Sequence, residues 1–415
     1  MAVSVLADNQ GHADFFRRRI LLNAQYWHTY VSEKATDISA LDIERELIIK
    51  AIAFALELRE AWPIVYSLLV TYAPYMERRG HWETWHQLLN RAVKIAQQLE
   101  DVTGVITLSA LLARLLQRQS QLDRAVEHYR RVIRWARQSK NRYEEARACT
   151  NLGYLYIEDG HWYRAEVLCC YALAIFEAIN NHHGLAHTNN HLGLLYTRKR
   201  AWERAKPHLE QACQLWQGME DQHGLMRGLI NQGLLHNDME QYDEALSFLE
   251  NALQLAKLTG EEAEIGKIHL NMGIAYGQKS ELPQAETSIW QAEAIFRRFS
   301  NSLDLALTWT NLGIIYIEQK KWKEAGTYLE KALTTCRHLK IEYGEIDALQ
   351  GLVEYELARG NQQQALGHLK ELERLVQPQE WQVRHRRLQA FLLKYRRNLP
   401  EFQLDRLRHM GLLID

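Results

Sequence analysis

Five times along the chain, at 40-residue intervals, one side chain is followed four residues later by a second on the same helical face. The pairs are Arg147/Asn151, His187/His191, Arg227/Asn231, Lys267/Asn271 and Leu307/Asn311. Asn190 supplies a neighbouring amide where histidine replaces the asparagine. A carboxamide both donates and accepts, so it can pair with a peptide N–H and C=O together, and a row of carboxamides can hold an extended backbone with little regard for its sequence. The Arg and Lys one turn earlier favour carboxylates. Such a row does recognition rather than bond breaking. Asparagine costs a helix roughly 0.5–0.7 kcal/mol against alanine at each position, so its recurrence needs a reason. A structural reason is also available: a repeated amide can bridge to the neighbouring helix pair and fix the angle between pairs.

Other chemistry-bearing residues are fewer. His182, His183, His187 and His191 cluster, and His187 and His191 stand four apart, a spacing that can chelate a metal. The segment between them reads HTNNH, without the glutamate of a zinc protease, and a third ligand would have to come from elsewhere. The pair reads instead as two imidazoles whose charge changes near neutral pH. Neither metal nor cofactor is expected. The five cysteines, Cys149, Cys169, Cys170, Cys213 and Cys336, form no C-x-x-C pair and read as small buried apolar residues in a reducing compartment. No Ser-His-Asp grouping stands out, and Gly266-Lys267 is followed by Ile268 rather than the Ser or Thr of a phosphate loop. An enzyme is not expected.

The elements that must position the row are helices. The segments NLGYLY, HLGLLY, NQGLLH, NMGIAY and NLGIIY place Gly153, Gly193, Gly233, Gly273 and Gly313 at a 40-residue period. Alanines follow at Ala165, Ala205, Ala245, Ala285, Ala325 and Ala365, and again at Ala172, Ala212, Ala252, Ala292 and Ala332. Cys149, Leu152, Gly153 and Tyr156 share one helical face, and Ala165, Leu168, Cys169 and Ala172 share another, so each unit holds two amphipathic helices. Glycine and alanine on facing surfaces let two helix backbones approach closely. Trp162, Trp202 and Trp322 recur at one position as packing between helices, and Pro283 fits the first turn of a helix.

Composition agrees. The chain has 415 residues, 47% apolar and 24% charged, with only six prolines, as an elongated repeat protein or several domains would have. Lys+Arg (50) and Asp+Glu (51) leave a formal charge of −1, which excludes whole-molecule attraction to nucleic acid or an anionic membrane. No segment has the apolar length to span a membrane, and MAVSVLADNQGHADFFRRR has no run long enough for a signal peptide, so the expected location is the cytoplasm.

The Leu–Gly–Tyr spacing followed by the two alanines resembles the tetratricopeptide signature, with a 40-residue period in place of the usual one of about 34. It is similar to the long variety found in Pins-type adaptors, kinesin light chains and the sensor regions of bacterial MalT-like regulators. The resemblance covers about residues 143–376. It implies an all-α fold, a right-handed superhelical solenoid of antiparallel helix pairs whose leading helices line a concave groove. Arg147, Asn151, His187, Asn190, His191, Arg227, Asn231, Lys267, Asn271 and Asn311 would then be the peptide-binding residues. Tyr154, Leu194, Leu234, Ile274 and Ile314 replace the further asparagine of chaperone-binding clamps. The implied partner is a protein or peptide with acidic and apolar side chains.

Weaker units precede this region. Leu122, Ala125, Trp82 and Ala92 keep the register, while Pro74 is expected to interrupt a helix and Ala113 stands where a glycine would. Residues 12–100 resemble the helical region that follows the nucleotide-binding module of signal-transducing ATPases. The expected layout is an N-terminal helical region over residues 1–65, two divergent repeats over 66–145, six repeats over 146–376 and capping helices over 377–415. The basic stretch WQVRHRRLQAFLLKYRRNLP reads as a cap with a polar outer surface, and FFRRR at Phe15–Arg19 reads the same way. Self-association through the terminal helices stays open. So does a second function, a regulatory sensor in a bacterial signalling, transcription or defence system that changes curvature on binding a ligand.

Overall fold

The computed structural model describes residues 2–35, 37–79, 82–119, 121–299 and 301–375. Every regular element among them is helical. Two helices of unequal length come first, α1 Ala2–Glu33 and α2 Ile38–Ala55, then a 3-10 turn at Arg59–Ala61. Sixteen helices follow, each beginning 20 residues after the one before. They are α3 Trp62–Arg79, α4 Trp82–Gln98, α5 Val102–Arg118, α6 Leu122–Gln138, α7 Arg142–Glu158, α8 Trp162–Ala178, α9 His182–Arg198 and α10 Trp202–Gly218. The rest are α11 Gln222–Asp238, α12 Tyr242–Thr259, α13 Glu262–Gln278, α14 Leu282–Arg298, α15 Ser302–Glu318, α16 Trp322–Leu339, α17 Glu342–Ala358 and α18 Gln362–Leu375. The helix-pair solenoid expected from the sequence is therefore the fold, and its beat extends back through α3–α6. The basic C-terminal stretch lies outside the described residues.

Local chemistry sets the beat. Asp101, Asn181, Asp221 and Asn301 each accept a hydrogen bond from the backbone N–H three residues on, capping α5, α9, α11 and α15. One residue before three of these caps the chain turns through left-handed backbone, at Glu100, Asn180 and Glu220, and Lys140, Arg200, Glu240, Ser280, Lys320 and Lys340 repeat the turn elsewhere. In one such turn Glu220 N–H donates to the Gln217 carbonyl and Asp221 N–H to the Trp216 carbonyl, satisfying the last groups of α10. Pro283 lies in the first turn of α14, as its missing N–H allows.

Within pairs the predicted close approach is present. A Cβ on Gly193 would meet the Leu209 side chain at 2.5 Å, and one on Gly273 would meet Ile289 at 2.5 Å and the Ala285 carbonyl at 3.2 Å. The facing alanines from Ala165 to Ala325 are fully buried. Of the cysteines, Cys149, Cys169, Cys213 and Cys336 are buried as expected, but Cys170 is exposed. It lies one residue past Cys169, which already fills the position against Gly153, so the helix carries it away from the core.

The chain divides into two compact units at Leu152–Gly153, within α7. In the first unit, α1 packs on α2 and α3, and His28 Nε2 hydrogen-bonds Ser67 Oγ at 2.8 Å. Pro74 does not break α3, which runs through it. Fully buried Tyr72 and Met76 flank it, and the last turn is tied to α2 by Tyr75 and Arg79, both donating to Asp42 at 2.5 and 3.0 Å. Phe15 and Phe16 are more than half exposed, so FFRRR has no buried apolar face. In the second unit each leading helix also meets the leading helix of the next pair, α9 with α11, α11 with α13, and so on to α17. None of the described helices is long and apolar enough to cross a membrane.

Candidate functional site

An α-helix advances about 100° per residue, so Gly153 and Tyr156 lie on roughly the opposite side of α7 from Tyr154 and Glu158. The first pair packs against α8. The second belongs to a stripe with Arg147 and Asn151, and the same stripe recurs on α9, α11, α13, α15 and α17. Arg147 and Asn151 lie in the first unit; the other predicted residues lie in the second. Asn151, His191, Asn231, Asn271 and Asn311 are all half-buried, as are Arg147, His187, Arg227 and Lys267, whereas Asn190 is buried.

The amides are partly engaged already. Asn231 Nδ2 donates to Asn190 Oδ1 at 2.9 Å, joining α11 to α9. Asn271 Nδ2 donates to the Lys267 carbonyl at 3.0 Å and Asn311 Nδ2 to the Leu307 carbonyl at 2.9 Å, each bending back along its own helix. The Asn271 carbonyl in turn accepts from Asn237 Nδ2 at 3.1 Å. One amide thus ties two helix pairs, and two brace their own helix with one N–H while keeping a second N–H and the side-chain carbonyl in their chemical inventory. His191 stacks on Tyr154, with ring centroids 4.9 Å apart.

Two of the cations are paired as well. Arg147 bonds Glu144 at 2.9 Å and Lys267 lies 3.4 Å from Glu264, each one turn away on its own helix. Within the second unit the stripes and their flanks carry Glu158, Asp238, Glu264, Asp304 and Asp347 against Arg198, Arg227 and Lys267. On these stripes the carboxylates named outnumber the cations.

These groups act on one another across several helix pairs. Glu158 and then burial raise the Tyr154 hydroxyl, with further effects from Lys267, Glu264 and Asp304 on α13 and α15. Burial works against the Arg198 charge, yet Glu158, Asp238, Tyr343 and Asp347 more than offset it and raise its pKa. Burial pushes Asp304 up to about 6, with Lys267 opposing and Glu158 and Glu264 reinforcing. Burial likewise raises Asp238, against the pull of Arg198 and Arg200. Arg198 and Asp347 nevertheless keep exposed side chains. Within the second unit these side chains lie along the inner stripes from Tyr154 and Glu158 to Asp347.

Sequence reasoning named the first two positions of each stripe and missed Glu158, Arg198 and Asp238, which lie eleven residues beyond the first. Helical periodicity was the signal available for them. It also missed Asp221, which joins His183 and His187 where α9 and α11 begin. His187 keeps company with His183, ring centroids 4.5 Å apart, and His183 Nε2 lies 3.5 Å from Asp221 Oδ2. The expected His187/His191 pairing is replaced, because His191 is turned onto Tyr154.

A family model described as tetratricopeptide repeat matches residues 304–377, and a second of the same description matches residues 227–257. No curated protein matches the chain. Among solved structures it is similar to a Rap protein complexed with competence and sporulation factor, at 11% identity over 86% of this chain and 98% of that one, with a TM-score of 0.63. It is similar to aspartyl phosphate phosphatase F from Bacillus subtilis, at 13% identity over 86% and 93% of the two chains, with a TM-score of 0.52. The apo form of RapI is similar at 15% identity over 66% and 98%, with a TM-score of 0.51. At these identities the likeness is one of fold.

Proposed function

The chain is a tetratricopeptide-repeat protein, and we propose that it holds a segment of a partner polypeptide against the inner stripes of its second unit. The fold supports an interaction scaffold, since a stack of helix pairs offers a long continuous face and contacts mainly its own neighbours. The observation that carries the reading is the unbroken run of leading helices, α9 on α11, α11 on α13, α13 on α15 and α15 on α17, along which Asn231, Asn271 and Asn311 recur at one position.

Each part of that face has a job. Asn271 and Asn311 offer amide groups to a peptide backbone. Leu194, Leu234, Ile274 and Ile314 lie one turn beyond the amide row and accept apolar side chains. Glu158, Asp238, Asp304 and Asp347 favour lysine or arginine on the occupant rather than aspartate or glutamate. Asn190 and Asn231 act chiefly on each other and set the spacing of α9 against α11. The Rap structure of the same fold was solved in complex with competence and sporulation factor, so the fold accommodates a bound factor there.

The test is capture from the native cell with the full chain as bait, followed by cross-linking to locate the contact. The expected result is one polypeptide whose cross-links fall on α9, α11, α13 and α15 at the stripe positions. Replacing Asn271 and Asn311 together with Ala should abolish its retention while the helical circular dichroism stays unchanged. Equal retention by the double variant, or cross-links confined to trailing helices, defeats the reading.

A further inference from the structure

Where α9 begins beside the start of α11, three side chains of ligand type converge. His183 and His187 stand four residues apart on α9, the helical spacing that lets two imidazoles reach one ion. Asp221 is the N-cap of α11. One ligand atom from each lies within 4.8 Å of the other two, and this is the group of three with such geometry among the described residues. We infer that His183, His187 and Asp221 form a binding site for a divalent first-row transition ion, Zn(II) or a close congener.

The site is built rather than accidental in its supports. Asp221 Oδ1 accepts from the Gly224 N–H at 2.9 Å, which fixes the carboxylate and leaves Oδ2 turned toward His183. Trp216, fully buried, meets the His187 ring edge-to-face with centroids 5.2 Å apart. The same indole lies under the first turn of α11: a Cβ on Gly224 would meet it at 2.2 Å. One buried ring therefore sets both His187 and the helix start that carries Asp221. Supports of this kind orient metal ligands in known sites.

The neighbouring pairs provide an internal control. Forty residues on, the same positions hold His223, Arg227 and Glu261, and there His223 Nδ1 lies 3.0 Å from Glu261 Oε1. Arginine has only donors and cannot ligate, so that group lacks its third ligand. Forty residues back, the positions hold Tyr143, Arg147 and Asn181. The pattern is complete in one pair.

Two neutral imidazoles and one carboxylate suit Zn(II), Ni(II), Co(II) or Cu(II) better than Ca(II) or Mg(II), which prefer oxygen sets. Bonds of about 2.0–2.2 Å at tetrahedral angles put ligand atoms roughly 3.3 Å apart, so the three must draw in by about an ångström. His183, with its side chain 57% exposed, has room to turn. A fourth position stays open to water or to a donor from a bound partner. The positive ends of α9 and α11 lie nearby and weaken cation binding.

The experiment titrates the full-length, metal-stripped chain with Co(II), read by its visible d–d bands, and then displaces it with Zn(II) by calorimetry. One tight equivalent is expected. His187→Arg copies the neighbouring pair, and Asp221→Asn keeps an N-cap while removing the carboxylate; each should weaken that equivalent at least tenfold. His183→Gln changes an exposed side chain, so it reads the site even where His187→Arg disturbs folding. Absence of a tight equivalent in the wild type, or wild-type affinity in both Asp221→Asn and His183→Gln, overturns the assignment.

Discussion

The two sides of a leading helix obey different rules. On the packed side Gly153, Gly193, Gly233, Gly273 and Gly313 repeat without change, each against a buried side chain of its trailing helix. On the inner side the first stripe position runs Arg147, His187, Arg227, Lys267, Leu307, Asp347 and never settles. The pairs from α7 to α16 solve one packing problem in the same way, with a glycine where the backbones meet. The inner side touches water, where a change of residue has little effect on packing. The repetition therefore reports architecture, and the variation is where recognition can be written.

That contrast can be broken most forcefully on the packed side. Gly273→Val would drive a branched side chain into Ile289 and the Ala285 carbonyl. Overpacking typically costs about 1–3 kcal/mol, and the backbone contact places this variant at about 3 kcal/mol, seen as a lower urea midpoint. A stability within about 0.5 kcal/mol of wild type would mean the close approach is not what the glycine serves.

The inner side should give the opposite sign. Asp304 is held at about 6 by burial, against 3.8 for the group in isolation. The folded chain thus binds this proton more readily than the unfolded one, and the contribution of Asp304 to stability grows as pH falls through 6 and is absent above it. Asp304→Asn should stabilise by about 1–2 kcal/mol at about pH 8 and by little near pH 4. Thermal unfolding across pH checks it, and a pH-independent difference would rule out the interior as the cause.

The smallest effect belongs to the turns. Glu220 sits at φ 55, a conformation that disfavours residues with a Cβ by roughly 1–2 kcal/mol. Glu220→Gly should raise stability by about 0.5–1 kcal/mol after the added entropy of the unfolded chain. A loss on guanidinium unfolding would show that the Glu220 side chain does more than occupy the bend.

The packed side could be read from the sequence almost in full, because its spacing is local: four residues along a helix, 20 between helices, 40 between pairs. Pro74 misled, since a proline's effect depends on neighbours such as Tyr72 and Asp42 that hold α3 together. The inner side was legible only as a stripe. Which charges meet across it depends on how sharply successive pairs turn, and no short-range pattern encodes that angle. Asp304 and Tyr343 went unnoticed for this reason. His183 was legible as part of the histidine cluster, whereas Asp221 lies 34 residues beyond His187 and only the packing of α9 beside α11 brings the two together.

The uninterrupted 20-residue beat of α3–α18 makes the chain commensurate with itself. Excising residues 233–272 would join Asn231 and Gln232 directly to Gly273, so one whole pair leaves and every surviving glycine still finds its counterpart. Length is thus an adjustable quantity in this molecule, changed in steps of a pair, and each step adds or removes one rung of the interior while the joints between the remaining rungs stay as they were.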